Sequence, residues 1–134
     1  MTKTNIKILT LSLLLIFVSF SCKKEAKPKA VVRVVELLDS VLVPVNKALV
    51  KVGPATQEDV LDDVVAEGYT NSSGYIEFEF EKELVLRALA FKLKRDESGE
   101  LILDVNGEPI PVKGGYKTLI LKIDYTDNKT IEVK

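Results

Sequence analysis

The chain contains no histidine and no tryptophan, and it has a single cysteine, Cys22, and a single methionine, Met1. Without histidine it lacks the side chain that most often moves protons at neutral pH and most often binds metals. A Ser-His nucleophilic arrangement is therefore excluded. One cysteine forms no internal disulfide and no multi-cysteine metal site. Neither sign of charge dominates: 19 basic and 20 acidic residues give a net of −1. That leaves no basic field for nucleic acid. A phosphate-cradling loop is missing too, since Gly114-Gly115 stands without the lysine and helix such a site needs. No cofactor follows from any of these features. The length of 134 residues gives room for one domain.

What the chain has in quantity is β-branched residues, which favour strands. The stretch from Gly68 to Phe80 organises the rest. Ile76, Phe78 and Phe80 alternate with Tyr75, Glu77 and Glu79, the period of a half-buried antiparallel strand. Before it, Asn71-Ser72-Ser73-Gly74 supplies turn chemistry: Asn and Ser bond their own backbone, and Gly accepts positive φ. Glu67-Gly68-Tyr69-Thr70 is expected to pair with the strand after this turn, as a hairpin.

Other segments follow the same period. Val31–Glu36 reads as a first strand, and Pro44 marks a strand edge because it cannot donate to a ladder. Ala48–Val52 reads as a second strand, ended by Gly53-Pro54. Residues 55–67 are ambiguous; the spacing of Val60, Leu61, Val64 and Val65 suggests a helical turn over 57–62 before a strand over 64–70. Leu84–Lys94 is a long strand, apolar at first on both faces, as in a central strand covered twice at one end. Asn106-Gly107 predicts a type I′ hairpin between 101–105 and 109–112. Gly114-Gly115 then reads as a break. Leu119, Leu121 and Ile123 face inward, and Thr130–Lys134 forms the last strand. Seven to nine short strands at about ten-residue spacing imply an all-β, antiparallel Greek-key sandwich.

The amino terminus is an address. Lys3 and Lys7 precede an apolar run of 13 residues, Ile8–Phe20. A bilayer span needs about 20, so the run reads as the core of a secretory signal. Ser19-Phe20-Ser21-Cys22 follows, and it resembles the lipobox of bacterial lipoproteins, of the relaxed kind found in the Bacteroidota. Ser19 stands where that family usually has Leu. The resemblance implies cleavage between Ser21 and Cys22, diacylglycerol on the Cys22 sulfur and an acyl chain on the new amino terminus. Membrane lipid is then the first partner. Lys23, rather than Asp, follows the cysteine, which by the same resemblance favours the outer membrane. The alternative is an ordinary signal peptide with an incidental cysteine. Loss of residues 1–21 removes two lysines and leaves 17 basic against 20 acidic residues, a net of −3. The expected organisation is a signal peptide over 1–21, a charged tether over 22–30 and a β-sandwich over 31–134.

Pro44-Val45-x-x-Ala48, then Thr70-Asn71-x-x-Gly74-x-x-x-Phe78, resembles the transthyretin-like domains, also called carboxypeptidase regulatory-like domains. Asn71 stands where Asp is common. The resemblance is clear over about residues 31–94 and implies a seven-stranded sandwich with no chemistry of its own. Fold does not give function. Among possible sites, the acidic run Glu58-Asp59-x-x-Asp62-Asp63 is either a calcium loop or, more simply, a solvated loop, so no metal is assigned. Tyr69, Tyr75, Tyr116 and Tyr125 form either an exposed aromatic patch for a glycan or protein or cross-strand pairs on the surface. No catalytic residue is assigned. The expectation is a lipid-anchored, non-catalytic module of the cell envelope that binds or scaffolds a partner, an envelope protein or glycan, at the outer membrane. The alternatives are a small carboxylate-dependent hydrolase and a purely structural envelope lipoprotein.

Overall fold

The structure, a computed structural model, describes residues 24–57 and 60–134. The signal peptide, Ser21 and Cys22 lie outside the described residues. Within them the chain is all-β, with no helix. Strand β1 (Lys29–Leu38) is the hub of the first sheet. Strand β10 (Thr126–Val133) lies along one side of it, in parallel. Strands β7 (Tyr75–Glu79) and β2 (Val41–Pro44) share its other side, both antiparallel. The second sheet is antiparallel throughout, in the order β6 (Ala66–Tyr69), β3 (Leu49–Gly53), β8 (Leu84–Leu93), β9 (Pro111–Leu121). Strands β4 (Ala55–Gln57) and β5 (Val60–Leu61) form a small separate hairpin.

The alternation in the sequence is realised as a two-layer core. Val32 and Val34 of β1 and Ile131 and Val133 of β10 face Val50 and Val52, Ala88 and Ala90, and Leu119 and Leu121 of the second sheet. All ten are essentially inaccessible to water. Burying each valine, leucine or isoleucine contributes about 1.5–3 kcal/mol. Alternation alone does not report strand direction, which is why the parallel β1–β10 pair was invisible in it.

Four local expectations are corrected. Of the 57–62 helical turn the described residues form none: Gln57 ends β4, Val60 and Leu61 form β5, and Asp62 N–H donates to Pro54 O at 2.7 Å. Asn106 does not adopt positive φ, so the turn there is not type I′; only Gly107 does, at 80°. The left-handed pair that a type I′ turn requires is instead Asp39-Ser40, joining β1 to β2. Gly114-Gly115 lies inside β9 and not in a break. Ile123 is exposed, past the end of β9.

The tether is also shorter than expected. Pro28 is fully buried, and its carbonyl accepts a bond from Phe80 N–H at 2.9 Å. Ala26 N–H donates to the Asp124 carboxylate at 2.6 Å, and Asp124 N–H returns a bond to Ala26 O at 2.9 Å. The folded unit therefore begins at Ala26, held by the β9–β10 turn.

The strands on either side of the Asn71–Gly74 turn do not pair. Strand β6 pairs with β3 and β7 with β1, so the chain changes sheets there. The reason is Thr70. Its buried hydroxyl donates to Val45 O at 2.6 Å and accepts from Ala48 N–H at 2.9 Å. Its N–H donates to Ala48 O at 3.0 Å, and its carbonyl accepts from Lys47 N–H at 3.0 Å. Gly74, at φ 80°, sits where an added Cβ would lie 2.6 Å from Val34 O and 3.1 Å from Pro44 Cβ. Pro44, Val45, Ala48, Thr70, Asn71 and Gly74 thus form one corner, and Phe78 enters the core behind it.

Candidate binding face

Three turns in this domain are built the same way. In each, one side-chain oxygen accepts two backbone N–H groups: Asn71 from Ser73 and Tyr75, Asp96 from Ser98 and Glu100, Asp104 from Asn106 and Glu108. Each has glycine at positive φ in the fourth position. This is a three-residue loop closed on a left-handed glycine. The Asp96 carboxyl is held below its usual range, first by the Ser98 hydroxyl and then by the Glu100 N–H. The last two turns carry the chain out and back between β8 and β9. Single bridges, Arg95 with Leu101 and Leu103 with Pro109, brace this excursion. Glu108 and Pro109 come back over the outer face of the second sheet, where they line hollows with Leu49 and Lys51.

That outer face is the candidate site. Residues opposite one another across the four strands form two rows. Tyr69, Leu49, Phe91 and Gly114 make one, and Glu67, Lys51, Leu89 and Tyr116 make the other. Three hollows lie end to end along these rows. The first, about 390 Å³, lies against Glu67, Tyr69, Leu49 and Glu108. The second, about 160 Å³, lies between Lys51, Phe91 and Pro109. The largest, about 490 Å³, is floored by Leu89, Phe91 and Tyr116 and rimmed by Lys117, Glu132 and Lys134. Glycine at 114 keeps this end open: a Cβ there would meet the Phe91 ring at 3.4 Å. The Arg87 guanidinium lies 4.9 Å from the centre of the Tyr116 ring, a cation–π distance that fixes the ring.

The four tyrosines are not brought together. Tyr69 and Tyr116 share this face. Tyr75 lies on the first sheet with Arg33 5.4 Å from its ring centre, and Tyr125 lies in the β9–β10 turn. Nothing in the sequence alone marks Phe91 and Lys51 as members of a site. The available signal was Leu89 and Phe91, apolar at odd positions of a strand whose even positions, Leu86, Ala88 and Ala90, already serve the core.

A second polar cluster closes the end of the sandwich away from Ala26. Glu36 is buried, and its carboxylate receives Lys92 Nζ at 2.6 Å and Lys113 Nζ at 3.1 Å. The hydrogen bond from Lys92 holds the Glu36 carboxyl below its usual range against the opposing effect of burial, with Lys113 adding to it. All three residues have ordinary inward positions on their strands, so the triad reads as a lid on the core. Among the described residues no group of three or more acidic, cysteine or histidine side chains is placed to hold a metal. The acidic run falls partly on 58 and 59, outside the described residues; Asp62 and Asp63 are exposed.

No protein-family model matches the chain, and no curated protein does. Among solved structures it is similar to GBS52, the minor pilin of the Gram-positive pathogen Streptococcus agalactiae. The match has a TM-score of 0.50 at 12% identity, and covers 82% of this chain and 45% of the pilin. This chain therefore spans less than half the length of that structure. At such identity the likeness is one of fold alone.

Proposed function

We propose that the chain is a lipid-anchored, non-catalytic module of the cell envelope that holds a partner on the outer face of its second sheet. The observation that carries the binding half is the strip of Tyr69, Leu49, Phe91 and Tyr116, left accessible on a sheet whose other face already supplies the core. An apolar patch of this kind, rimmed by polar groups, marks an interaction surface. The anchoring half rests on the 13-residue apolar run and on Ser21-Cys22. Several acyl chains together hold firmly where one binds marginally. Only three residues separate Cys22 from Ala26, where the folded unit begins, a reach of at most about 14 Å. Such a tether keeps the β9–β10 turn near the lipid and the Glu36 end away from it, at the outer membrane by the identity of Lys23. The gathering of Pro44, Val45, Ala48, Thr70 and Gly74 at one corner supports the transthyretin-like reading of the sandwich.

Labelling cells with a palmitate analogue tests the anchor. The wild-type chain takes up label and sediments with membranes; the Cys22→Ser variant does neither. An uncleaved, unmodified amino terminus on the wild-type chain, seen by mass spectrometry, overturns it. A second reading, a carboxylate-dependent hydrolase, draws on Glu67 and Glu108, two acids lining one hollow. Its test is release of reducing ends from a polysaccharide, abolished in Glu108→Gln.

A further inference from the structure

We infer that the partner on this face is a neutral glycan chain lying across the strands, stacked on Tyr69, Phe91 and Tyr116. The inference rests on the binding face proposed above and adds the chemistry of what it takes.

Three observations select this ligand. The first is direction. The hollows follow one another from β6 across β3 and β8 to β9, so the groove crosses the strands. At about 4.8 Å per strand the path is about 14 Å long, which suits an elongated polymer more than a compact molecule. The second is the floor. Strands β3 and β8 are each paired on both sides, so their backbone groups are used within the sheet. An extended peptide binds a sheet chiefly by adding to a free edge; here that edge is β6, at one end of the groove, and the hollows run across the strands away from it. The floor offers rings instead. Aromatic faces carry negative charge density, and the C–H groups of a sugar ring fit against them. The third is the rim. Lys117 and Lys134 stand with Glu132 at one end, Lys51 stands with Glu67 and Glu108 at the other, and the Arg87 guanidinium lies on Tyr116. Groups of both signs occur at each end of the groove, so no single-signed field selects an anion or a cation. They do supply donors and acceptors together, and hydroxyl groups both donate and accept. The largest hollow, about 490 Å³, is of the size of ordinary ligand sites.

The test is electrophoresis of the whole mature chain, solubilised in mild detergent, through gels containing soluble starch, yeast mannan, a β-1,3-glucan or polygalacturonate. Tyrosine fluorescence, undisturbed by tryptophan, gives a titration in parallel with the same polymers and with casein peptides. The expected result is retardation by at least one neutral polymer, with affinity falling at least tenfold in Phe91→Ala and in the exposed-site variant Tyr69→Ala. Tyr75→Ala, on the opposite sheet, retains wild-type retardation. The inference is overturned by a wild-type chain that no neutral polymer retards, by binding confined to polygalacturonate or to casein peptides, or by unchanged binding in both groove variants. Because the protein is solubilised, the gel reads the groove independently of the lipid. A retarded chain that carries no acyl group refutes the anchor and leaves the glycan, and an acylated chain that nothing retards does the reverse.

Discussion

At the corner of residues 44–74 the two sheets are joined around a side chain, the Thr70 hydroxyl; at the crossing of β9 and β10 they are joined by leaving one out. Thr70 gathers Val45 O and Ala48 N–H, so β6 is held to one sheet while the chain moves on to the other. At the crossing, Gly115 lets the backbone of Glu132 pass directly over β9, with Ile131 Cγ2 2.9 Å from where a Cβ would stand. Gly114 and Lys134 then exchange backbone hydrogen bonds at 3.3 and 3.1 Å. One joint is made by satisfying buried polar groups and the other by close approach. They should fail differently.

The largest effect is expected at the crossing. Gly115→Ala places a methyl group against the Glu132 carbonyl, which is backbone and cannot rotate away. The cost is about 3 kcal/mol, at the upper end of overpacking effects, read as a fall in the urea midpoint with the slope unchanged. A change under 0.5 kcal/mol would mean that β10 slides easily on β9. Next comes the corner. Thr70→Val keeps the volume and removes the hydroxyl, leaving Val45 O and Ala48 N–H short of a buried partner. The expected loss is about 2 kcal/mol, again from urea unfolding, and Thr70→Ser recovers most of it. If Ser recovered nothing, the methyl group and not the hydroxyl would hold the corner.

The two joints also differ in how far the sequence discloses them. The corner is legible because its residues recur in a spaced order: Pro44-Val45, Ala48, Thr70-Asn71, Gly74, Phe78. Even so, the sequence around the turn reads as a hairpin, because alternation shows which side of a strand is greasy and not which strand lies beside it. Only the hydroxyl of Thr70, whose partners lie 22 and 25 residues away, decides that. The crossing left no such trace. Gly114-Gly115 reads as punctuation, since glycine usually marks a turn; a close approach inside a strand shows only when Ile131 and Glu132 arrive from the far end of the chain. The binding face falls between these cases. Leu89 and Phe91 announced a strand apolar on both sides, but Glu108 and Pro109 reach it through an excursion whose path depends on two turns.

A third closure, the Glu36 triad, sharpens the contrast because it is ionic and therefore tunable by pH. Glu36→Gln removes the carboxylate that Lys92 and Lys113 share. Both lysine side chains are about a third exposed, at 37% and 35%, so water keeps the loss near 1 kcal/mol at pH 7. The folded Glu36 carboxyl lies below its ordinary range. Its stabilisation is therefore complete above the unfolded pKa, about 4.3, and disappears as pH falls through the lower folded value. Unfolding curves of wild type and variant should converge in that window. A gap that did not narrow at all as the pH fell below about 4.3 would assign the effect to packing.

The smallest effect on stability is expected one residue from the largest. Gly114 faces outward, its φ is not in the left-handed region, and an added Cβ would touch the Phe91 ring at 3.4–3.5 Å, ordinary contact. Gly114→Ala also narrows the conformations open to the unfolded chain, which by itself stabilises by about 0.4–1 kcal/mol. The net change should stay under about 1 kcal/mol of either sign, set against about 3 for its neighbour. What the substitution alters is the floor of the largest hollow, where the methyl would occupy the space beside Phe91. Glycan retardation should fall while the urea midpoint holds. If both held, the ligand path would run on the Tyr69 side of Phe91 and leave the β9 end empty.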